Sequence, residues 1–223
     1  MKFYNNKLTI TCDGGAATGK STGAKLIAKK YGLAFLSSGL LYRYVSYLKL
    51  KYKPKNFVNF TKKKFLHLDY RNLNKINLHT NEISAESANV AKILTIRNIL
   101  KKYQKKFIKN NKGCVLEGRD ASTKILPQSD IKFFFICDIN TAAKRRYLEL
   151  KRKTKNISFN QIKKALNKRN KSDRTRSISP LQKHPDAIVV NTTKINKTAM
   201  VAKMSKYVEK VLKIKYENRT RSK

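Results

Sequence analysis

The stretch "TITCDGGAATGKST", residues 9–22, decides the fold. A strand-like run is followed by Gly14-x4-Gly19-Lys20-Ser21, which matches the pattern G-x-x-x-x-G-K-[ST], and then by a helix-like run. Glycines and small side chains let backbone N–H groups converge on an anion, and the positive end of the following helix attracts it further. The stretch therefore predicts a phosphate-binding loop directly after a buried first strand.

Such a loop predicts a nucleoside triphosphate site. Lys20 is expected to reach the β- and γ-phosphates, and the Ser21 hydroxyl is expected to bind a magnesium ion. Asp13, at the end of the strand, is left open between a magnesium role and structural hydrogen bonding. The residues predicted to hold the phosphates of ATP or GTP form one continuous run: Gly14, Gly15, Ala16, Ala17, Thr18, Gly19, Lys20, Ser21 and Thr22.

Short apolar runs alternate with longer amphipathic runs along the chain. The predicted strands are 7–12, 33–37, 113–117, 131–137 and 186–190. The predicted helices are 20–31, 39–50, 84–109, 140–153, 158–171 and 196–214. Strands that are apolar almost throughout are typical of a parallel sheet covered on both faces. The pattern predicts an α/β three-layer fold with a five-stranded parallel sheet.

Two segments interrupt this alternation. Residues 51–83 are rich in lysine and asparagine, with short strand candidates around Phe65–Leu68 and Lys75–Leu78. Residues 172–185 are polar and contain two prolines. We expect both segments to lie near the carboxyl ends of the strands, where α/β sheets bind their ligands.

The charge is strongly positive, with 52 basic against 13 acidic residues and a formal net charge of +39. Such an excess attracts phosphates, including those of nucleic acids. The lysines are dispersed over nearly every predicted helix, and lysine, asparagine and isoleucine are abundant together, as AT-rich coding produces. The composition therefore predicts no specific nucleic-acid partner. No apolar run approaches the roughly 20 residues of a membrane span, so we expect a soluble, cytoplasmic protein with no membrane partner. We also expect the protein to be a monomer.

A second anion site is indicated by two further segments. "SSGLLYRY" (37–44) places Ser38 at a helix start with Arg43 about a turn later, and "EGRD" (117–120) places Arg119 at the end of the third strand. Two arginines and a hydroxyl can clamp a phosphate with charge-assisted hydrogen bonds. Each residue also has an ordinary explanation, as a helix-surface arginine, an N-cap or half of an ion pair. Beside a phosphate loop, the combination predicts a small kinase.

The chain resembles the bacterial cytidylate kinases, a family of P-loop nucleoside monophosphate kinases. The resemblance covers nearly the whole length and rests on "DGGAATGKST", "SSGLLYR", "LHTNEI…VAKILTIRNIL", "LEGRDASTKILP" and "RNKSDRTRSISPL". It implies transfer of the ATP γ-phosphoryl group to CMP or dCMP with Mg²⁺, in pyrimidine nucleotide supply. It also implies a P-loop kinase core (1–50 and 84–223) with a nucleoside monophosphate-binding insert (51–83) and a lid at about 154–185.

The resemblance further implies roles for particular residues. The acceptor phosphate is expected at Ser38, Arg43 and Arg119, the ribose at Arg169 and Asp173, and the cytosine at Arg97, Asp120 and Arg176. The expected catalytic cations are Lys20, Arg43, Arg119 and Arg174, and the expected magnesium-site residues are Ser21 and Glu117.

Three positions depart from the family pattern: Ala88 stands where a serine is expected at the base, His79 where an arginine is usual, and Ser37 where an acid is usual. Two other functions remain open at this point. One is a small P-loop kinase with another acceptor, such as a different nucleotide or a shikimate-like acid. The other is a basic ATPase that binds nucleic acid.

Overall fold

The computed structural model describes residues 8–151 and 157–221. Its strands are β1 (Thr9–Gly14), β2 (Ala34–Ser37), β3 (Cys114–Gly118), β4 (Ile131–Ile136) and β5 (Ile188–Asn191). Its helices are α1 (Lys20–Lys30), α2 (Ser38–Tyr52), α3 (Phe57–Leu66), α4 (Asn81–Val90), α5 (Leu94–Asn110), α6 (Ile139–Lys151), α7 (Phe159–Thr175) and α8 (Lys197–Arg221). No helix in this part of the chain is long and apolar enough to cross a membrane.

The strands form one parallel sheet in the order β2-β3-β1-β4-β5. The register pairs Asp13 of β1 with Gly118 of β3 and Gly14 with Phe135 of β4, and it pairs Ser37 of β2 with Glu117. The carboxyl ends of β1, β2 and β3 therefore meet at one edge. The predicted α/β fold with a five-stranded parallel sheet is confirmed.

Both faces of the sheet are buried, which explains why its strands are apolar almost throughout. One face packs against α1 and α8 through residues that include Ile10, Ile27, Phe133, Phe135, Met204 and Val208. The other face packs against the layer of α2 to α5 through residues that include Leu36, Leu41, Val45, Ile96, Leu100 and Leu116. A smaller apolar cluster joins α6 to α7. The core thus holds the sheet edge rigid beneath the loops that carry polar side chains.

The strand candidates within residues 51–83 are wrong. Phe65 belongs to α3, which begins after Asn56, whose side chain accepts a hydrogen bond from Asn59 N at 3.0 Å. Lys75 ends a 3₁₀ turn, Tyr70–Lys75, that begins at the side chain of Asp69. Short alternating runs forecast strands only where a neighbouring strand is available to pair, and here helix caps direct the backbone instead.

The single helix predicted at 84–109 is divided into α4 and α5. The backbone carbonyl of Ala91 accepts a hydrogen bond from the guanidinium of Arg97 at 3.1 Å instead of continuing the helical ladder. Arg97 then lies in the first turn of α5, with its side chain buried. The break therefore positions a predicted site residue.

The remaining helix ends differ from expectation by a few residues. α7 continues to Thr175, four residues beyond its predicted end at 171, and α8 continues to Arg221 rather than ending at 214. Ser158 is the N-cap of α7 but makes no side-chain capping hydrogen bond. The first residues of the predicted lid, 154–156, lie outside the described residues.

Candidate active site

The phosphate loop lies between β1 and α1, and its glycines are required by geometry. A Cβ at Gly14 would lie 2.5 Å from the carbonyl oxygen of Phe135 on β4, so no larger residue fits there. Gly19 has φ +81° and is the N-cap of α1, a left-handed conformation that L side chains rarely adopt. Gly14 and Gly19 therefore fix the path of the loop from the end of β1 to the start of α1.

Lys20 is buried at the centre of this loop. Its Nζ donates to the Gly15 carbonyl at 2.9 Å and lies 3.5 Å from Oε1 of Glu117. Burial and the nearby Arg119 guanidinium lower the pKa of Lys20 to about 8. The ammonium group is therefore held between the loop and the end of β3, where the two predicted anion sites meet.

Asp13 serves the structure of the site. Its Oδ1 accepts from Ala121 N at 2.9 Å, and its Oδ2 accepts from the backbone N–H and the hydroxyl of Ser122 at 2.7 and 2.6 Å. Burial raises the pKa of Asp13 to about 6 against the opposing effect of these bonds. Asp13 thus fixes the turn Ala121–Ile125 that follows Asp120, which supports the structural interpretation of this residue.

Ser38 and Glu117 are both buried at the ends of α2 and β3. Ser38 Oγ accepts a hydrogen bond from Gln104 Nε2 at 2.6 Å. Glu117 accepts a hydrogen bond from the hydroxyl of Ser37 and faces Lys20 on its other oxygen. At position 37, where the family usually has an acid, the serine donates to Glu117 instead of repelling it.

Arg43 and Arg169 both contact helix α4, and both contact Ser84. Arg43 donates to Ser84 Oγ at 2.6 Å and to the Leu78 carbonyl at 3.1 Å. Arg169, on α7, donates to the Ser84 carbonyl at 2.8 Å and to Ser87 Oγ at 3.2 Å. Ser87 is adjacent to Ala88, the alanine that stands where a serine is expected. Ser87 therefore contacts Arg169, a predicted ribose-binding residue.

Asp173 forms ion pairs with three arginines that were predicted to bind the substrate. Its Oδ2 lies 2.8 Å from Arg119 Nε and 3.4 Å from Arg169 Nε, and its Oδ1 lies 3.6 Å from Arg176. Burial opposes ionisation, but Arg119 and Arg169 hold the pKa of Asp173 below its ordinary value. The ion pairs join the end of β3 to α7 and bring the predicted phosphate and ribose residues together.

The charge around Arg43 remains strongly positive. Burial and the neighbouring Arg146, Arg169 and Arg119 lower the pKa of Arg43 to about 10. We call Arg43, Arg119, Arg146 and Arg169 the arginine cluster. Arg119 and Arg169 share the carboxylate of Asp173, Arg146 pairs with Glu149, and Arg43 donates to uncharged oxygens. The cluster therefore keeps positive charge that can attract an anion.

A second polar group lies at the start of the turn after β3. Asp120 accepts a hydrogen bond from Arg97, and both side chains are buried. Arg97 lies over the ring of Tyr42, 5.5 Å from its centroid. Arg176 donates to the Ser179 carbonyl at 2.8 Å, and a surface cavity of about 250 Å³ is lined by Lys92, Arg176, Ser177 and Ile178.

Several residues at the site were missed in the sequence. Asn170 on α7 accepts a hydrogen bond from Ala16 N of the phosphate loop at 2.8 Å. Arg145 donates to the hydroxyl and the carbonyl of Thr192, and that hydroxyl donates to the Thr18 carbonyl at 2.8 Å. The signal for Arg145 and Arg146 was an adjacent arginine pair on a helix that follows a strand. No local signal marked Asn170 or Thr192.

Three predicted residues are not among those joined by the contacts above. Arg174 is exposed on α7, whereas its neighbour Asp173 is buried. Ser21 is exposed at the start of α1, and Thr22 is half-buried.

Solved structures share this fold. An uncharacterized protein from Eubacterium ventriosum superposes with a TM-score of 0.56 at 16% identity, covering 92% of this chain and 99% of that one. TT1252 from Thermus thermophilus superposes with a TM-score of 0.50 at 11% identity, covering 92% and 98%. At these identities the likeness shows the fold alone.

Sequence comparison is more specific. The family model for cytidylate kinase matches residues 10–210. The cytidylate kinase of Bartonella tribocorum is 35% identical over 210 residues, 92% of this chain and 96% of that protein. The cytidylate kinase of Aquifex aeolicus is 32% identical over 222 residues, 94% of this chain and 96% of that protein. The chain belongs to the cytidylate kinase family.

Proposed function

We propose that the protein transfers the γ-phosphoryl group of ATP to CMP or dCMP and releases ADP and CDP or dCDP. The observation that carries this proposal is the arginine cluster, which lies beside the buried Lys20 of the phosphate loop. Two phosphate sites that share one edge of the sheet suit transfer between two bound nucleotides. We further propose that it acts as a cytoplasmic monomer in pyrimidine nucleotide supply, without a specific nucleic-acid partner.

On the ATP side, the backbone of residues 14–22 would surround the phosphates. Lys20 would contact the β- and γ-phosphate oxygens, because its Nζ already lies inside the loop, 2.9 Å from the Gly15 carbonyl oxygen. Phosphates would replace that carbonyl and Glu117 as its partners. The ammonium would then carry positive charge to the group that moves.

On the acceptor side, Arg43 and Arg119 would bind the phosphate of the monophosphate, with Ser38 at the start of α2. Asp173 and Arg169 would bind the ribose, and the phosphate would replace the present partners of Arg43 on α4. The acceptor is already an anionic oxygen, so no general base is required, and positioning with positive charge accounts for the catalysis.

The magnesium ion that the family implies fits this edge of the sheet. Mg²⁺ is usually bound by one or two protein oxygens together with substrate phosphates and water. Among residues 8–151 and 157–221, no three His, Cys, Asp or Glu side chains converge as metal ligands. Ser21 and Glu117 would hold it together with the phosphates, and it would supply positive charge to the phosphate oxygens.

A coupled assay of ADP formation tests the proposal. The purified protein is incubated with ATP, Mg²⁺ and one acceptor at a time: CMP, dCMP, UMP, AMP or shikimate. We expect rapid ADP formation with CMP and dCMP. ADP formation that needs RNA and no monophosphate would instead support the basic ATPase, and preference for another acceptor would support a different small kinase.

We also propose that residues 51–83 and about 154–185 close over the bound substrates. A closed site excludes water, which would otherwise accept the phosphoryl group. Arg43 and Arg169 both contact α4, next to the first of these segments, through side-chain hydrogen bonds that substrate groups can replace.

Hydrogen exchange is expected to slow in both segments when a bisubstrate analogue, with the two nucleosides joined by a phosphate chain, is added. The reason is that closure ties both segments to the same ligand and shields their amides. Mass spectrometry with and without the analogue measures the change, and α8, Lys197–Arg221, serves as the internal control. Unchanged exchange in both segments, with the analogue shown to be bound, would contradict closure.

A further inference from the structure

Gln104 is a buried amide beside the start of α2. It lies on α5, whose buried residues, Ile96, Arg97, Leu100 and Gln104, follow one face of the helix. Two of these four are apolar, and Gln104 is 2% exposed. Its Nε2 donates a hydrogen bond to Ser38 Oγ at 2.6 Å. An amide that is withdrawn from water needs such a partner, and this partner belongs to the proposed acceptor site.

The hydroxyl of Ser38 is left with its own proton to donate. A serine hydroxyl carries one proton and two acceptor lone pairs. One lone pair receives the N–H of Gln104, and within residues 8–151 and 157–221 no acceptor is hydrogen-bonded to the proton. The oxygens of an ionised phosphate only accept hydrogen bonds. The Ser38 hydroxyl can therefore serve a phosphate only as a donor, which is the role that Gln104 leaves to it.

The same hydroxyl lies against the end of β3. A Cβ at position 118 would be 3.1 Å from Ser38 Oγ, so the glycine there lets the hydroxyl approach the backbone of the strand. The next residue, Arg119, belongs to the arginine cluster, and the residue before Ser38 donates to Glu117. Ser38 thus lies between α5 and the edge of the sheet where the acceptor phosphate is proposed to bind.

Helix α5 reaches two parts of the proposed acceptor site. Arg97 pairs with Asp120, where the base is expected, and Gln104 pairs with Ser38, where the phosphate is expected. The two residues are seven positions apart on the same face, which separates them by about 10 Å along the helix axis. One rigid helix therefore supports both the base side and the phosphate side of the site.

We propose that Gln104 is a positioning residue that holds the Ser38 hydroxyl as a donor to the phosphate of the acceptor nucleotide. The inference rests on the proposed function and adds to it a residue that does not touch the substrate. Because Nε2 presents protons to Ser38, the O–H of Ser38 is directed away from α5. A hydroxyl that accepts one hydrogen bond also donates a stronger one, since the two bonds polarise each other.

Two substitutions at position 104 test the direction of this hydrogen bond. Gln104→Met keeps the approximate size and removes the donor, so the hydroxyl is no longer held. A neutral hydrogen bond contributes a net amount that corresponds to about a 2- to 10-fold change in binding, and we expect CMP to bind that much more weakly. Gln104→Glu keeps the shape but offers an acceptor, which takes the Ser38 proton away from the phosphate. We expect its CMP affinity to fall by about 10-fold or more, because a charged acceptor holds that proton more strongly.

Removal of the hydroxyl isolates the positioning effect. Ser38→Ala leaves Gln104 with no hydroxyl to orient. In the Ser38→Ala background, Gln104→Met is therefore expected to change the CMP affinity by less than about 2-fold. Such non-additivity is the sign of two residues that act through one contact.

Isothermal titration calorimetry of the purified full chain with CMP, in the absence of ATP, measures these affinities without any transfer. Titration with ATP alone is expected to give an unchanged affinity for Gln104→Met, because Gln104 and Ser38 lie on the acceptor side. Asn110→Met, which replaces an exposed amide at the end of the same helix, is the matched control and is expected to bind both nucleotides like the unaltered protein. Thermal denaturation checks that each variant is folded, and if Gln104→Glu does not fold, Gln104→Met in the two backgrounds decides the point.

The outcomes separate the two proposals. If the unaltered protein does not bind CMP, the proposed function fails. If it binds CMP, the positioning role is overturned while the function stands in either of two cases: a folded Gln104→Met or Gln104→Glu variant keeps the CMP affinity, or Gln104→Met lowers it equally with and without the Ser38 hydroxyl. A merely structural role for Gln104 predicts that Gln104→Met weakens ATP and CMP binding alike, and that result would also overturn the inference.

Discussion

Lys20→Ala is expected to lower kcat by on the order of 10²–10³, as the loss of other single electrostatic donors at a transition state does. Lys20 is the cation that the loop holds nearest to both proposed phosphate sites, since its Nζ lies 2.9 Å from the Gly15 carbonyl and 3.5 Å from Glu117. Alanine cannot carry charge to the γ-phosphoryl group. Loss of the Lys20 ammonium group also removes the cation that pairs with the buried Glu117.

Steady-state kinetics at saturating ATP and CMP measure this effect. Lys29→Ala is the matched control, because Lys29 is exposed in the last turn of the same helix. It is expected to turn over like the unaltered protein. Circular dichroism and thermal denaturation check that Lys20→Ala is folded. A folded Lys20→Ala variant with near-normal turnover would mean that the loop does not hold the transferred phosphate.

The second large effect concerns the base and rests on Asp120. Cytosine presents an amino donor at N4 and acceptors at N3 and O2, whereas uracil presents an acceptor at O4 and a donor at N3. Asp120 is buried and bound to Arg97. Burial lowers the pKa of Arg176, and Asp173, Arg97 and Asp120 are near enough to act on it as well. A carboxylate toward N4 with arginines toward N3 and O2 would match cytosine and oppose uracil twice.

We therefore expect a preference for CMP over UMP of about tens to thousands-fold. Each mismatch in a dry site leaves a polar group unpaired at a cost of roughly 1–3 kcal/mol. Asp120→Asn supplies an amide that can present either a donor or an acceptor, so most of the preference is expected to vanish. The kcat/KM for CMP is expected to fall as well, because the buried Arg97 loses its charged partner.

The kcat/KM values for CMP and UMP, measured on both proteins, decide this point. Asp186→Asn, at an exposed position away from the site, is the matched control and is expected to keep the CMP/UMP ratio. A folded Asp120→Asn variant with an unchanged ratio would assign base recognition to another residue. A ratio that changes while kcat/KM for CMP stays high would leave the Arg97 pairing without a role in binding.

Much of the architecture was readable from local patterns. The apolar runs predicted the strands, because strands buried on both faces leave little room for polar residues. The sequence from Gly14 to Ser21 predicted the phosphate loop, since its chemistry needs those residue types at that spacing. The strand candidates at Phe65–Leu68 and Lys75–Leu78 failed because strand propensity needs a pairing partner, which the fold does not supply there.

The arrangement of the site was decided by the tertiary structure. Local sequence patterns predict the loop, the α/β class and the residue types of the two proposed phosphate sites, because these follow from short-range spacing. They do not determine that Asp120 binds Arg97, that Arg146 lies near Arg43, or that Asn170 reaches Ala16 across 154 residues. These arrangements depend on the strand order β2-β3-β1-β4-β5, on the packing of α6 against α7 and on the contact of α7 with α4. Neither the strand order nor the helix packing follows from spacing along the chain, because both are determined by burial of the sheet's faces and by pairing of buried charges.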